Sequence, residues 1–157
     1  MRKYLLMCTI AAGSFIFQKA SAQIHGDIQV NIGAQPVWGP VGYDRADYYY
    51  LPDINAYYNI SAHQYIYLQE GQWMFSSELP YQYRNYDIDR GYKVVVNEPE
   101  PYRHNDQYKA NYAKYKGNHS QEIIRNSHDS KYYQIKEHPQ HDNWVKQQQD
   151  HQQQDHH

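Results

Sequence analysis

The residues best suited to chemistry in this chain are its histidines. Five of the ten, His138, His141, His151, His156 and His157, fall within the last 20 residues, beside Asp142, Asp150 and Asp155. Neutral imidazole is a good ligand for Zn, Cu or Ni, and a neighbouring carboxylate offers a second ligand type. The spacing matches no defined metal motif. Gln147-Gln148-Gln149-Asp150-His151 recurs unchanged as Gln152-Gln153-Gln154-Asp155-His156, and a five-residue step on a helix sets His151 and His156 about 140° apart. The expectation is a solvated, polar low-complexity tail with no assigned cofactor; the alternative is a periplasmic metal-binding protein in which the tail acts as a flexible chelate with weak Zn, Cu or Ni binding.

Tyrosine is the second unusual resource, with 19 residues in a chain of 157. Tyr48, Tyr49, Tyr50, Tyr65, Tyr67 and Trp73 are the candidates for a binding surface. Aromatic rings stack on the apolar faces of sugars, and Tyr and Trp anchor protein interfaces. Such a surface would take a sugar, such as a cell-wall polysaccharide, or another protein, an envelope protein if the chain is exported as read below. The same rings could instead fill the core of a sheet short of aliphatic residues, and both uses stay open at this point. An extended chain points the triplet 48–50 to alternate sides, so at least one of its rings is expected at the surface.

No residue is assigned a catalytic role. Asp44 with Asp47, Asp87 with Asp89, and Glu98 with Glu100 are acid/base pairs in type, but they lie near turns of a small domain with little room for a cleft. There is no G-x-S-x-G, H-E-x-x-H or phosphate-binding loop. The protein is expected not to be an enzyme. Lys109, Lys114 and Lys116 interleave with Tyr108, Tyr112 and Tyr115 in the manner of a single-strand binder. An acidic balance and an export signal argue against nucleic acid as a partner. Asn59-Ile60-Ser61 and Asn118-His119-Ser120 match the glycosylation sequon, which matters only in a eukaryotic secretory route.

The export signal is read at residues 1–22. Arg2 and Lys3 precede an apolar run over 4–17, and Ala20-Ser21-Ala22 forms an A-x-A cleavage site, with cleavage expected after Ala22. The run is too short for a membrane anchor, which needs about 20 apolar residues, so no transmembrane segment is expected after cleavage. Removal of the leader takes away Arg2, Lys3, Lys19 and the sole cysteine, Cys8. The 135 residues left would hold 12 basic against 17 acidic groups and no thiol. A disulfide framework and Cys-ligated zinc are both excluded, and a periplasmic or secreted location is expected.

The remaining chain divides by composition. Residues 23–101 hold most of the aliphatic side chains, with 4 basic and 10 acidic groups; residues 102–157 hold only Ile123, Ile124, Ile135 and Val145. The expected fold class is mainly β, a small antiparallel meander of about four or five strands in residues 23–101. Alternation predicts strands at 27–32 and 54–60, and β-prone runs at 64–68, 72–76 and 92–96. A tight turn is predicted at Glu70-Gly71. Residues 102–118 predict one short helix or linker, capped by Asn105 or Asp106, striped by Tyr108, Tyr112 and Tyr115, and stopped by Gly117. Residues 119–157 are too poor in apolar side chains to order alone and are expected to be a disordered His/Gln-rich tail.

Tyr48-Tyr49-Tyr50-Leu51-Pro52-Asp53, Tyr57-Tyr58, Tyr65-Ile66-Tyr67, Gly71-Gln72-Trp73 and the later Asp89-Arg90-Gly91-Tyr92-Lys93-Val94-Val95-Val96-Asn97 together carry a resemblance. Over roughly residues 43–118 the chain resembles a group of small Tyr-rich secreted or periplasmic hypothetical proteins of Gram-negative bacteria, a family of unknown function. The resemblance implies a bacterial envelope setting and no particular activity. The Gln/His end lies outside it.

Overall fold

The computed structural model describes residues 30–154. The expected leader and its cleavage site, His156, His157 and the first half of the strand expected at 27–32 lie outside them. Five strands form one antiparallel sheet: β1 (Tyr48–Leu51), β2 (Ala56–Asn59), β3 (Gln64–Gln69), β4 (Gln72–Ser76) and β5 (Val94–Val96). Their spatial order is β4-β3-β2-β1-β5. The first four strands are a meander of tight hairpins, and β5 returns across the sequence to pair with β1. The mainly β class and the small antiparallel sheet are those expected from the alternation of side chains.

Local chemistry explains the turns. Glu70 and Gly71 both take positive φ, 50° and 79°, as a two-residue hairpin requires if its twist is to match the strands. Asn55 holds φ 49° in the turn before β2, a conformation that its short amide tolerates better than most side chains. The end of the expected strand at 27–32 folds differently. Ile32–Ala34 is a 3-10 turn, because Asn31 bonds sideways to Ala46, its side-chain amide donating to the carbonyl and its oxygen accepting from the N–H. Val30 is exposed, so alternation here did not mean a ladder.

Both faces of the sheet are covered. On one face Tyr49, Leu51, Ala56, Tyr58 and Tyr67 pack with Ile54 and Ile60 under Trp38, Leu79, Tyr83, Tyr86 and Ile88. On the other, Tyr50, Tyr57, Ile66 and Val96 pack under Tyr102, Tyr108 and Tyr112. The latter three come from a 3-10 turn, Pro101–His104, and the helix α1 (Asn105–Asn111) with the residues after it. The stripe of Tyr108 and Tyr112 thus docks on the sheet as its spacing predicts, and Gly117 ends the segment at φ 74°. The expected cap is corrected. His104 occupies the N-cap position without a side-chain bond, and the Asn105 oxygen accepts from the buried Tyr57 hydroxyl instead.

The segment from 119 onward also needs correction. Ile123, Ile124, Tyr132 and Ile135 are buried, and Ile124, Tyr132 and Ile135 join Ile32 and Val37 in a separate cluster. The backbone ties the two stretches together. Ile124 N–H donates to Gly39 at 2.9 Å and Arg125 N–H to Val37 at 2.8 Å, while Pro40 and Ile123 form a β-bridge. Few apolar residues suffice because nearly all of them are spent on one contact with a loop that is itself incomplete. Past residue 138 a second helix, α2 (His141–Gln154), is polar along most of its length. The tail is therefore shorter than composition indicates.

Candidate interaction surface

The six aromatic residues singled out as a surface do not share one. Tyr49, Tyr65 and Tyr67 lie on the face beneath Trp38, whereas Tyr48, Tyr50 and Trp73 lie on the face beneath α1. Tyr49 and Tyr50 are both buried and Tyr67 nearly so; Tyr48, Tyr65 and Trp73 are half-buried. The triplet 48–50 does alternate between faces, but here both faces are covered, which leaves only Tyr48 partly open. Burial raises the phenol pKa values: Tyr50 and Tyr65 are each pushed up to about 12, and Tyr49 and Tyr57 further still. These hydroxyls are structural. Tyr49 donates to Gln35 at 2.9 Å and Tyr50 to Asn55 at 3.1 Å.

The open aromatic surface lies at the β4 edge. On the α1 face Phe75 is 50 % and Leu68 44 % exposed, with Trp73 half-buried beside them, and on the other face of β4 Met74 is 40 % exposed. Tyr102 continues the patch, its ring 5.6 Å from Trp73 and 5.5 Å from Phe75. The tight hairpin makes Gln69 and Gln72 the first bonded pair, so bonding alternates from there. By that parity the N–H and C=O of Trp73 and Phe75 point away from β3. No contact among the described residues takes them up outside the ladder. The strand Gln72–Ser76 carries no charge and no proline, the usual guards of an exposed edge. At the opposite edge the Gln121 side chain accepts from Lys93 N–H and donates to its C=O, both at 2.9 Å, closing that position as a one-residue strand would.

Sequence reasoning found Trp73 but missed Phe75, Leu68 and Met74. The signal was present: an uncharged strand after a tight turn, last in a meander, has no partner on its outer side.

A second concavity, about 390 Å³, opens between Trp38, Tyr58, His63, Lys136 and Glu137. Trp38 is held there by edge-on contacts with Tyr49 and Tyr58 at 5.5 and 4.8 Å.

The structure separates the histidines of the expected chelate. His138 is 4 % exposed. Its Nδ1 accepts from Gln140 N–H at 3.1 Å, which puts the proton of the neutral ring on Nε2 and leaves that atom no lone pair for a metal. His141 has the opposite arrangement. Its Nδ1 lies 2.9 Å from the Tyr133 carbonyl and must donate to it, so Nε2 is free to ligate. His151 stands ten residues further along α2, about 15 Å by helical rise. Among the described residues no three His, Cys, Asp or Glu side chains are gathered as a metal site would need.

No family model, no curated protein and no solved structure matches this chain. Among the described residues no helix is long and apolar enough to cross a membrane.

Proposed function

We propose that this is a non-enzymatic secreted or periplasmic envelope protein that works by binding, and that its binding surface is the β4 edge with the aromatic patch around it. The observation that carries the reading is the pair of outward-facing backbone positions, Trp73 and Phe75, on an uncharged strand flanked by exposed Leu68 and Met74. Such an edge takes an extended segment as one more antiparallel strand: the main chain supplies affinity, and alternate side chains supply selectivity. The partner fitting that surface is an apolar, extended segment of an envelope protein. The leader at residues 1–22 and the resemblance over residues 43–118 support the location.

The test is capture from a bacterial envelope extract by the parent chain and by a Phe75→Lys variant, with amide exchange read at Trp73 and Phe75. The proposal expects a partner that the variant fails to hold and that slows exchange at both amides. Equal capture by the variant, or amides that exchange unchanged in the complex, would overturn it. Equal sedimentation of parent and variant with insoluble cell-wall polysaccharide would place sugar binding elsewhere than this edge.

A further inference from the structure

The aromatic layer beneath α1 is a connected path of rings. From the surface it runs Phe75–Tyr102 at 5.5 Å, Tyr102–Trp73 at 5.6 Å, Trp73–Tyr57 at 6.0 Å and Tyr57–Tyr108 at 5.7 Å. Tyr108 then touches Tyr50 at 5.6 Å and Tyr112 at 5.7 Å, which joins the path to the rest of the layer. Rings this close pass an electron readily. What decides where an electron vacancy stops is the proton: a phenol that loses an electron becomes a strong acid, and the radical is stable only if a base takes that proton.

The hydroxyl partners in this layer are of two kinds. Tyr57 donates to the Asn105 side-chain oxygen and Tyr50 to that of Asn55, and neither amide is a base. Tyr108 donates to the Glu98 carboxylate at 2.5 Å and Tyr102 to Glu100 at 2.7 Å. Glu100 is also paired with a guanidinium, and among the described residues Glu98 is not. The Tyr102 hydroxyl, and then the Arg103 guanidinium 2.8 Å away, hold its carboxyl below the usual range. Burial, and then the Glu98 bond, raises the Tyr108 phenol, so it keeps its proton until an electron is withdrawn. Beyond Tyr112, the Lys114 ammonium lies 5.1 Å over the Tyr115 ring and opposes positive charge there.

We propose that Tyr108 is the resting site for one-electron oxidation of this aromatic layer, with Glu98 as its proton acceptor, so that the layer drains oxidising equivalents from the β4 edge inward. The step balances as follows. A small diffusible one-electron oxidant takes one electron, directly or through Trp73 and Tyr57. The Tyr108 O–H bond breaks, its proton passes to the Glu98 carboxylate, and the products are a neutral Tyr108 phenoxyl radical, a Glu98 carboxylic acid and the reduced oxidant. This inference is independent of the binding role proposed for the edge.

The experiment is electron paramagnetic resonance on the chain frozen at intervals after photo-oxidation by ruthenium tris-bipyridine with persulfate. The expected result is a long-lived tyrosyl signal that is lost in Tyr108→Phe, is weakened and shortened in Glu98→Gln, and is unchanged in Tyr81→Phe. Tyr81 is the control because it is 78 % exposed and the Arg84 guanidinium lies 3.8 Å over its ring. Glu98 is exposed, so Glu98→Gln keeps the test informative even if Tyr108→Phe unfolds, with circular dichroism reporting the fold. An unchanged signal and decay in Glu98→Gln, a signal kept in a folded Tyr108→Phe, or a signal lost in Tyr81→Phe would each overturn the proposal.

Discussion

Two layers close this protein, and they are built from different materials. The layer over β1–β3 on the α1 side is tyrosine: Tyr102, Tyr108 and Tyr112 on Tyr50 and Tyr57. The cluster behind residues 32–41 is aliphatic, with Ile124 and Ile135 around Ile32 and Val37 and a single ring, Tyr132. A tyrosine layer must provide for every hydroxyl it buries, so it recruits Asn55, Asn105 and Glu98 and becomes sensitive to pH. The aliphatic cluster needs only shape, plus the backbone bonds that bring its two strips of chain together. The difference shows how a chain with mean hydropathy of −1.04 can build both a covered sheet face and a separate aliphatic cluster.

Removing one layer is the harshest way to separate them. Truncation after Asn118 takes away Ile123, Ile124, Tyr132 and Ile135 together and exposes Ile32 and Val37. Each buried aliphatic side chain contributes about 1.5–3 kcal/mol, so the loss should exceed that of any single substitution. Urea unfolding should show it. Limited proteolysis should then cut first at residues 32–41, while the strands of the meander survive longer. A truncation after Pro139, which removes α2, should cost far less; an equal loss would mean that α2 carries the cluster.

Single substitutions come next. Tyr57→Ala removes a fully buried ring that touches Tyr50, Tyr108 and Trp73, and about 3–5 kcal/mol is expected. Ile124→Ala in the other layer should cost about 2–5 kcal/mol. The two sites share no contact among the clusters described, so the double variant should be additive. Tyr49→Phe probes a hydroxyl alone. It leaves the Gln35 oxygen without its donor and should cost about 1–3 kcal/mol in thermal or urea melts.

Alkaline pH sharpens the contrast further. Buried phenols keep their protons longer in the folded chain than in the unfolded one. Their contribution is therefore complete below the unfolded pKa of about 10 and is lost as pH rises through about 12, where Tyr50 and Tyr65 titrate. Lys93 acts in the opposite sense. Burial lowers its pKa to about 8, against partial compensation from Asp89, Asp87 and Asp53, so the folded chain gains stability as pH rises from about 8 towards 10.5. Stability should thus climb a little above pH 8 and fall steeply past pH 10. Lys93→Met should flatten the climb and leave the fall intact. The smallest effect is expected from Arg45→Ala, which breaks a solvent-exposed pair with Asp47 and should change stability by about 1 kcal/mol or less.

The parts legible in the sequence are those with short-range causes. Alternation and the Glu70-Gly71 turn marked the meander, and the Tyr108, Tyr112, Tyr115 spacing marked the docked segment before Gly117. What depended on distant partners was hidden. Nothing local to Ile124 announces that residues 37–39 await it, and nothing local to Asn31 announces the bonds to Ala46 that turn a strand pattern into a 3-10 turn. The surface was half legible for the same reason. Trp73 and the tyrosines were visible as residue types, but which rings are covered depends on what folds over each face. Phe75 and Met74 matter because β4 is an edge, which is a property of strand order.

That strand order also has a bearing on time. Each hairpin from β1 to β4 joins neighbours in the sequence and can form as soon as its residues exist, whereas β5 reaches β1 only after more than 40 intervening residues. Local pairings form quickly and distant ones wait on loop closure. A chain emerging N-terminus first therefore displays its tyrosine hairpins bare on the face that Tyr102, Tyr108 and Tyr112 later cover. They stay so until β5 docks and the segments after it arrive, and the interval is the one in which a holding chaperone would have most to grip.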